Sequence, residues 1–169
     1  MTTNASARNQ RHEDKAGHHG TSNRMYWIFA AILLVNLGLM WVLTMSMIRT
    51  WDHFYFNPSN LYMAFIMVTA MAILMVVGMW SMFQNTKLNI ALLIGFIALF
   101  VAALLFGRAE VGVGNEGFLK SMIPHHSRAI LVCQESNITD PEIQDLCATI
   151  VETQQEEIAQ MQDILTRYE

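Results

Sequence analysis

The residues best suited to chemistry lie close together in the last third of the chain. Met122-Ile123-Pro124-His125-His126 places one thioether and two imidazoles within five positions. Soft sulfur beside imidazole suits copper, above all Cu(I), whereas zinc more often recruits cysteine or carboxylate. Adjacent histidines on a helix diverge by about 100°. They cannot both face one partner helix. One binds a metal while the other orients the site, or the two serve different neighbours at an oligomer interface. The plainer alternative is one buried histidine bonded within the fold and one on the surface.

Such a site needs elements to hold it. Phe118, Met122, His126, Ala129, Val132 and Cys133 recur at helical spacing. So do Ile143, Leu146, Cys147, Ile150, Gln154, Glu157, Ile158, Met161 and Leu165. Residues 136–141 between them read as a turn. Asp140 can cap the second helix, with Pro141 at its first position. Pro124 is expected to kink the first helix or to mark a local start.

Cys133 lies three residues before the turn and Cys147 six after it. In an antiparallel hairpin they are roughly level, so a disulfide is feasible. Two buried thiols or a thiolate metal pair are the alternatives. If the cysteines are level, His126 faces Gln154, with Met161 and Glu157 about one turn from Met122. Met122, His125, His126, Gln154, Glu157 and Met161 then gather near one level. Gln154 lies on the apolar stripe and needs a polar partner, which a histidine can supply.

The rest of the chain shows what carries the hairpin. Hydrophobic residues make up 53% and charged residues 14%, against about 25% charged in a soluble domain. Three uncharged runs, Met25–Ile48, Leu61–Phe83 and Leu88–Phe106, are 24, 23 and 19 residues long. A helix crosses a bilayer with about 20 apolar residues, so three transmembrane helices are expected. The first run is too long for a signal-peptide core and has no A-x-A site after it, so it is expected to stay as an anchor.

Arg8, Arg11, Lys15 and Arg24 outnumber Glu13 and Asp14 in the polar N-terminal segment. Lys87 lies in the loop on the same side, while Arg49 is the sole base of the 49–60 loop. The positive-inside rule then places the N-terminus in the cytoplasm and the C-terminal hairpin outside. Residues 108–169 carry a net charge of −7, which favours cations and disfavours nucleic acid.

In the second run, Met63, Met67, Met71, Met75 and Met79 follow a strict four-residue spacing. They form one slanting face, which is either a thioether path for Cu(I) or flexible apolar filler. The pattern is similar to copper uptake channels of the Ctr type, which also have three spans and a Met-x-x-x-Met in the second. In the third run, Ala91/Gly95, Ala98/Ala102 and Ala103/Gly107 have small-x-x-x-small spacing that permits close helix approach. His12, His18 and His19 of the N-terminal tail offer a weak metal site at most.

Met122-Ile123-Pro124-His125-His126, Ala129-Ile130 and the later Gln154-x-x-Glu157-Ile158-x-x-Met161 together resemble the domain-of-unknown-function family 305. The resemblance covers about 50 of the 169 residues. It implies a ferritin-like helical bundle, secreted or membrane-anchored in bacteria, with a link to copper binding or tolerance in some members. The two cysteines match one branch of that family. Arg128 stands where a small residue is common, and Val132 where a methionine is common.

The chain is therefore expected to be all-α. A disordered cytoplasmic tail (1–24) precedes three transmembrane helices (25–48, 61–83, 88–107). A Gly-rich linker (108–117) follows, then an extracytoplasmic antiparallel helical hairpin (118–169), half of a ferritin-like four-helix bundle. Self-association would complete the bundle. The expected location is the bacterial inner membrane, with the hairpin periplasmic or extracellular. No P-loop, GxSxG, HExxH or dinucleotide fingerprint occurs, and no Glu-x-x-His pair is available for a di-metal oxidase, so no enzyme is expected. The expected function is an anchored metal-binding module for copper buffering, delivery or tolerance. The alternatives are a metal-free oligomerisation or docking element, and Cu(I) transport along the methionine-lined helix.

Overall fold

The structure, a computed structural model, describes residues 3–168, with side chains described for residues 24–168. Among the described residues there are five α-helices, one short 3-10 turn and no strand. The helices are α1 (Thr3–Met45), α2 (Pro58–Gly78), α3 (Thr86–Arg108), α4 (Asn115–Glu135) and α5 (Pro141–Leu165). The 3-10 turn, Trp51–His53, lies between α1 and α2. Three segments are long and apolar enough to cross a membrane: Arg24–Met45 within α1, all of α2 and all of α3.

The helix ends follow local chemistry more closely than the apolar runs do. Pro58 occupies the first turn of α2, and the Asn57 side chain caps it by accepting the Asn60 N–H. The helix therefore starts before the apolar run at Leu61. It ends at Gly78, and Trp80–Met82 turn towards α3. Asn85 caps α3 by accepting the Leu88 N–H. The first helix, α1, runs from Thr3 into the first membrane-length segment. Residues 3–24 contain no proline and several good helix formers. His12, His18 and His19 lie outside the residues whose side chains are described.

Helix α2 packs on both α1 and α3. Ala64, Val68, Ala72 and Val76, four residues apart, are buried along it. Phe29 and Leu33 of α1 join Val68, Ala72, Val76 and Phe83 in one apolar cluster. Of the small-residue pairs in α3, Ala103/Gly107 makes a tight contact. Ala103 is buried, and a Cβ added at Gly107 would lie 3.0 Å from Tyr62 Cβ. Gly95 meets nothing within 4 Å, so that pair faces open space. The five-methionine series lies along an outer edge of α2. Met63, Met67 and Met71 are exposed, while Met75 and Met79 pack against the core. The Asn36 amide donates to Met71 Sδ at 3.0 Å, which gives this polar side chain a partner inside the span.

Candidate functional site

Helices α4 and α5 form the unit that carries the chemistry, and each is built from recognisable local signals. Asp140 caps α5 by accepting the Glu142 and Ile143 N–H groups, with Pro141 in the first turn. Helix α4 continues unbroken through Pro124, which is buried, and it shows no separate start there. A disulfide joins Cys133 to Cys147, with the Cα atoms 5.4 Å apart. This bond excludes the free-thiol and thiolate-metal alternatives for these two residues. Leu119, Ile123 and Ile130 of α4 pack with Ile158 and Leu165 of α5 in a second apolar cluster.

The α1–α2 loop positions α4. Asn57 is buried at this junction and joins four segments. Its carbonyl accepts the Trp41 indole N–H at 3.2 Å, and its side-chain oxygen accepts the Asn60 N–H at 2.8 Å. Its amide donates to the Tyr55 carbonyl at 3.2 Å and the Lys120 carbonyl at 3.4 Å. The segment after α3 is also held. The Tyr62 hydroxyl donates to the Val111 carbonyl, and the Ser59 hydroxyl donates to Glu110, both at 2.6 Å. Gly112, at φ +77°, turns this connection in the left-handed region where glycine carries no Cβ penalty.

At the centre of α4, Ser127 is fully buried. Its hydroxyl accepts the Arg49 N–H at 2.8 Å and lies 2.8 Å from His53 Nδ1. Burial holds the His53 imidazole below the ordinary histidine value, with Arg49 adding to the effect and Asp52 opposing it.

His126, the next residue, turns to α5. Its Nδ1 lies 3.0 Å from Glu157 Oε2, while the side chain is only 14% exposed. The contact is close but poorly aligned, so Nδ1 has no well-directed hydrogen-bond partner. Burial lowers the His126 pKa more than Glu157 raises it, and His125 lowers it further. Burial thus disfavours the charged imidazole, which makes the contact weaker than an ion pair.

Gln154 takes a different partner from the one its position suggested. Its amide donates to Glu157 Oε2 at 3.0 Å, three residues along the same helix, rather than meeting His126. An acceptor one turn away satisfies the amide locally. His125 is exposed, and its ring centroid lies 5.8 Å from that of His126. Met122 is half-buried one turn before His126, and Met161 packs against the apolar cluster of α4 and α5. The structure thus pairs His126 with Glu157 and Glu157 with Gln154, while exposed His125 touches only its neighbour His126 among them. Among the described residues, no three His, Cys, Asp or Glu side chains converge as a metal-holding group.

His53 and Ser127 were not expected to matter. The signal available for His53 was one imidazole beside Asp52 amid Trp51, Phe54, Tyr55 and Phe56. Such a loop reads as membrane-interface aromatics, and nothing in its spacing points to α4.

Comparisons with known proteins give the chain a family. A family model described as "Domain of unknown function (DUF305)" matches residues 107–165. An uncharacterised protein, L153, of Acanthamoeba polyphaga mimivirus is 32% identical over 109 residues, covering 63% of this chain and 70% of the relative. The chain belongs to the DUF305 family. The match to the viral relative is longer than the 62 residues that follow Gly107, so it reaches into the membrane-length helices. No solved structure matches the chain.

Proposed function

We propose that this DUF305 protein is a membrane-anchored module that binds a soft metal ion, Cu(I) foremost, on the outer face of the membrane. The observation that carries this reading is the 3.0 Å approach of Glu157 Oε2 to His126 Nδ1. Histidines that bind metals commonly present their second ring nitrogen to a carboxylate, which fixes the ring and the tautomer. Glu157 is placed to take that role once the ring aligns on it, and Gln154 donates to Glu157 Oε2. The Nε2 atom of His126 is then the nitrogen left for the metal. Because burial keeps the ring neutral, no proton must leave before it binds.

Met122 supplies the soft ligand, and exposed His125 supplies a second imidazole for capture or transfer. Cu(I) accepts such a thioether and imidazole set without a cluster of carboxylates or thiolates. The role would be buffering, delivery or tolerance. Competition titration of Cu(I) against a chelator on the full-length protein tests it. Loss of tight binding in His126→Ala, with the oligomeric state intact, supports the module. Equal weak binding by native protein and variant would contradict it.

A second reading rests on a separate observation. Phe118, Val132, Ile143 and Leu146 are exposed on α4 and α5, and another copy of the hairpin would cover them in a four-helix bundle. Loss of assembly, rather than of metal, in His125→Ala/His126→Ala would favour that role.

A further inference from the structure

A cleft of about 430 Å³ opens among the three membrane-length helices. Phe29 and Leu37 of α1, Phe65 and Thr69 of α2, and Leu92 and Phe96 of α3 line it. It runs from mid-span to the end remote from α4, where Tyr26 and Leu88 form its rim. Thr69 is buried and directs its hydroxyl to the carbonyls of Phe65 and Ile66, at 2.6 and 3.2 Å. The interior therefore offers an occupant no unsatisfied hydroxyl and favours hydrocarbon. The volume suits a small ligand. An α-helix, about 10 Å across with its side chains, is too large for it.

The rim adds a charge signature. The Tyr26 hydroxyl donates to Asn89 Oδ1 at 2.7 Å, which holds the start of the apolar part of α1 against the start of α3. Arg24 stands two residues before Tyr26, and Lys87 two residues before Asn89. Both are exposed. The segments 24–37 and 79–99 contain no acidic residue. An apolar slot and two cations therefore lie at one end of the bundle.

We propose that this cleft binds one anionic phospholipid. One acyl chain lies in the slot between α1 and α3, and the phosphate meets Arg24 and Lys87. This site is separate from the histidines of α4.

Native mass spectrometry of the full-length protein tests the proposal, with palmitoyl-oleoyl phosphatidylglycerol or the matching phosphatidylcholine added in detergent. The expected result is retention of one phosphatidylglycerol, favoured over phosphatidylcholine by about tenfold given two bases near the phosphate. Arg24→Gln/Lys87→Gln should abolish the preference but keep chain binding. Ala30→Phe, on the α1 wall of the cleft, should abolish retention of both lipids. Equal retention of the two lipids by the native protein would overturn the proposal. So would an undiminished preference in the double variant or unchanged retention in Ala30→Phe. If Ala30→Phe does not fold, the exposed double variant decides by itself.

Discussion

His53 and Ser127 are 74 positions apart in the chain and meet with Nδ1 and Oγ 2.8 Å apart. The same hydroxyl accepts the Arg49 N–H. One buried serine thereby fastens the α1–α2 loop to the middle of α4, directly beside His126. The position of the candidate site relative to the membrane helices depends on this junction.

Ser127→Ala should loosen that junction. It leaves a backbone N–H and an imidazole nitrogen without their partner, at about 1–3 kcal/mol for each group that stays buried. Hydrogen exchange should rise across residues 46–57 and the first half of α4, while α2 and α3 keep their protection. An unchanged exchange pattern would show that the loop is held by Asn57 and the apolar contacts alone.

The same junction should weaken in acid. Burial lowers the folded-state pKa of His53, against Asp52 on its own turn, with Arg49 and Ser127 also facing it. The unfolded chain then binds a proton more readily than the folded one. His53 therefore contributes its stability above the ordinary value of about 6.5, and that contribution is lost as pH falls through the lower folded value. His126 acts in the same direction. Thermal unfolding of the hairpin should move to lower temperature from about pH 6.5 downward, and His53→Asn should flatten part of that dependence. A midpoint that rises in acid would contradict the burial argument.

Much of this architecture is legible in the residues, for physical reasons. Uncharged runs of membrane length have few alternatives to spanning helices, and Asp140-Pro141 marks a helix start with a cap and a fixed φ. The Cys133–Cys147 pairing is one feasible outcome of two cysteines flanking one turn, and the structure forms it. The partner of Gln154 was not legible, because an acceptor three residues away competes with one across the hairpin on nearly equal terms. His53 was hidden for another reason. Its partner lies beyond two membrane helices, and no periodicity links a loop residue to a helix face so distant in sequence.

Reduction of Cys133–Cys147, or Cys133→Ser/Cys147→Ser, should destabilise the hairpin. The bond closes a loop with a sequence separation of 14, worth about 3 kcal/mol in the chain-entropy model. The hairpin core of five buried apolar residues is small, so the loss should appear as a separate, lower unfolding transition for α4 and α5. Identical melts of oxidised and reduced protein would refute this.

Glu157→Gln should act on metal affinity through His126. Removing the carboxylate beside Nδ1 releases the ring and the tautomer, and an outer partner of this kind is worth about 10–100-fold in affinity. The titration used for His126→Ala reads this directly. Affinity equal to the native protein would remove Glu157 from the site.

In the proposed site, sulfur and imidazole of α4 hold the metal together. X-ray absorption on the full-length protein, loaded with Cu(I) and desalted, tests it most directly. The expected first coordination sphere contains both imidazole nitrogen and thioether sulfur, with the sulfur lost in Met122→Leu and the imidazole reduced in His126→Ala. Copper that washes out on desalting, or a sphere without sulfur that neither substitution changes, would contradict it.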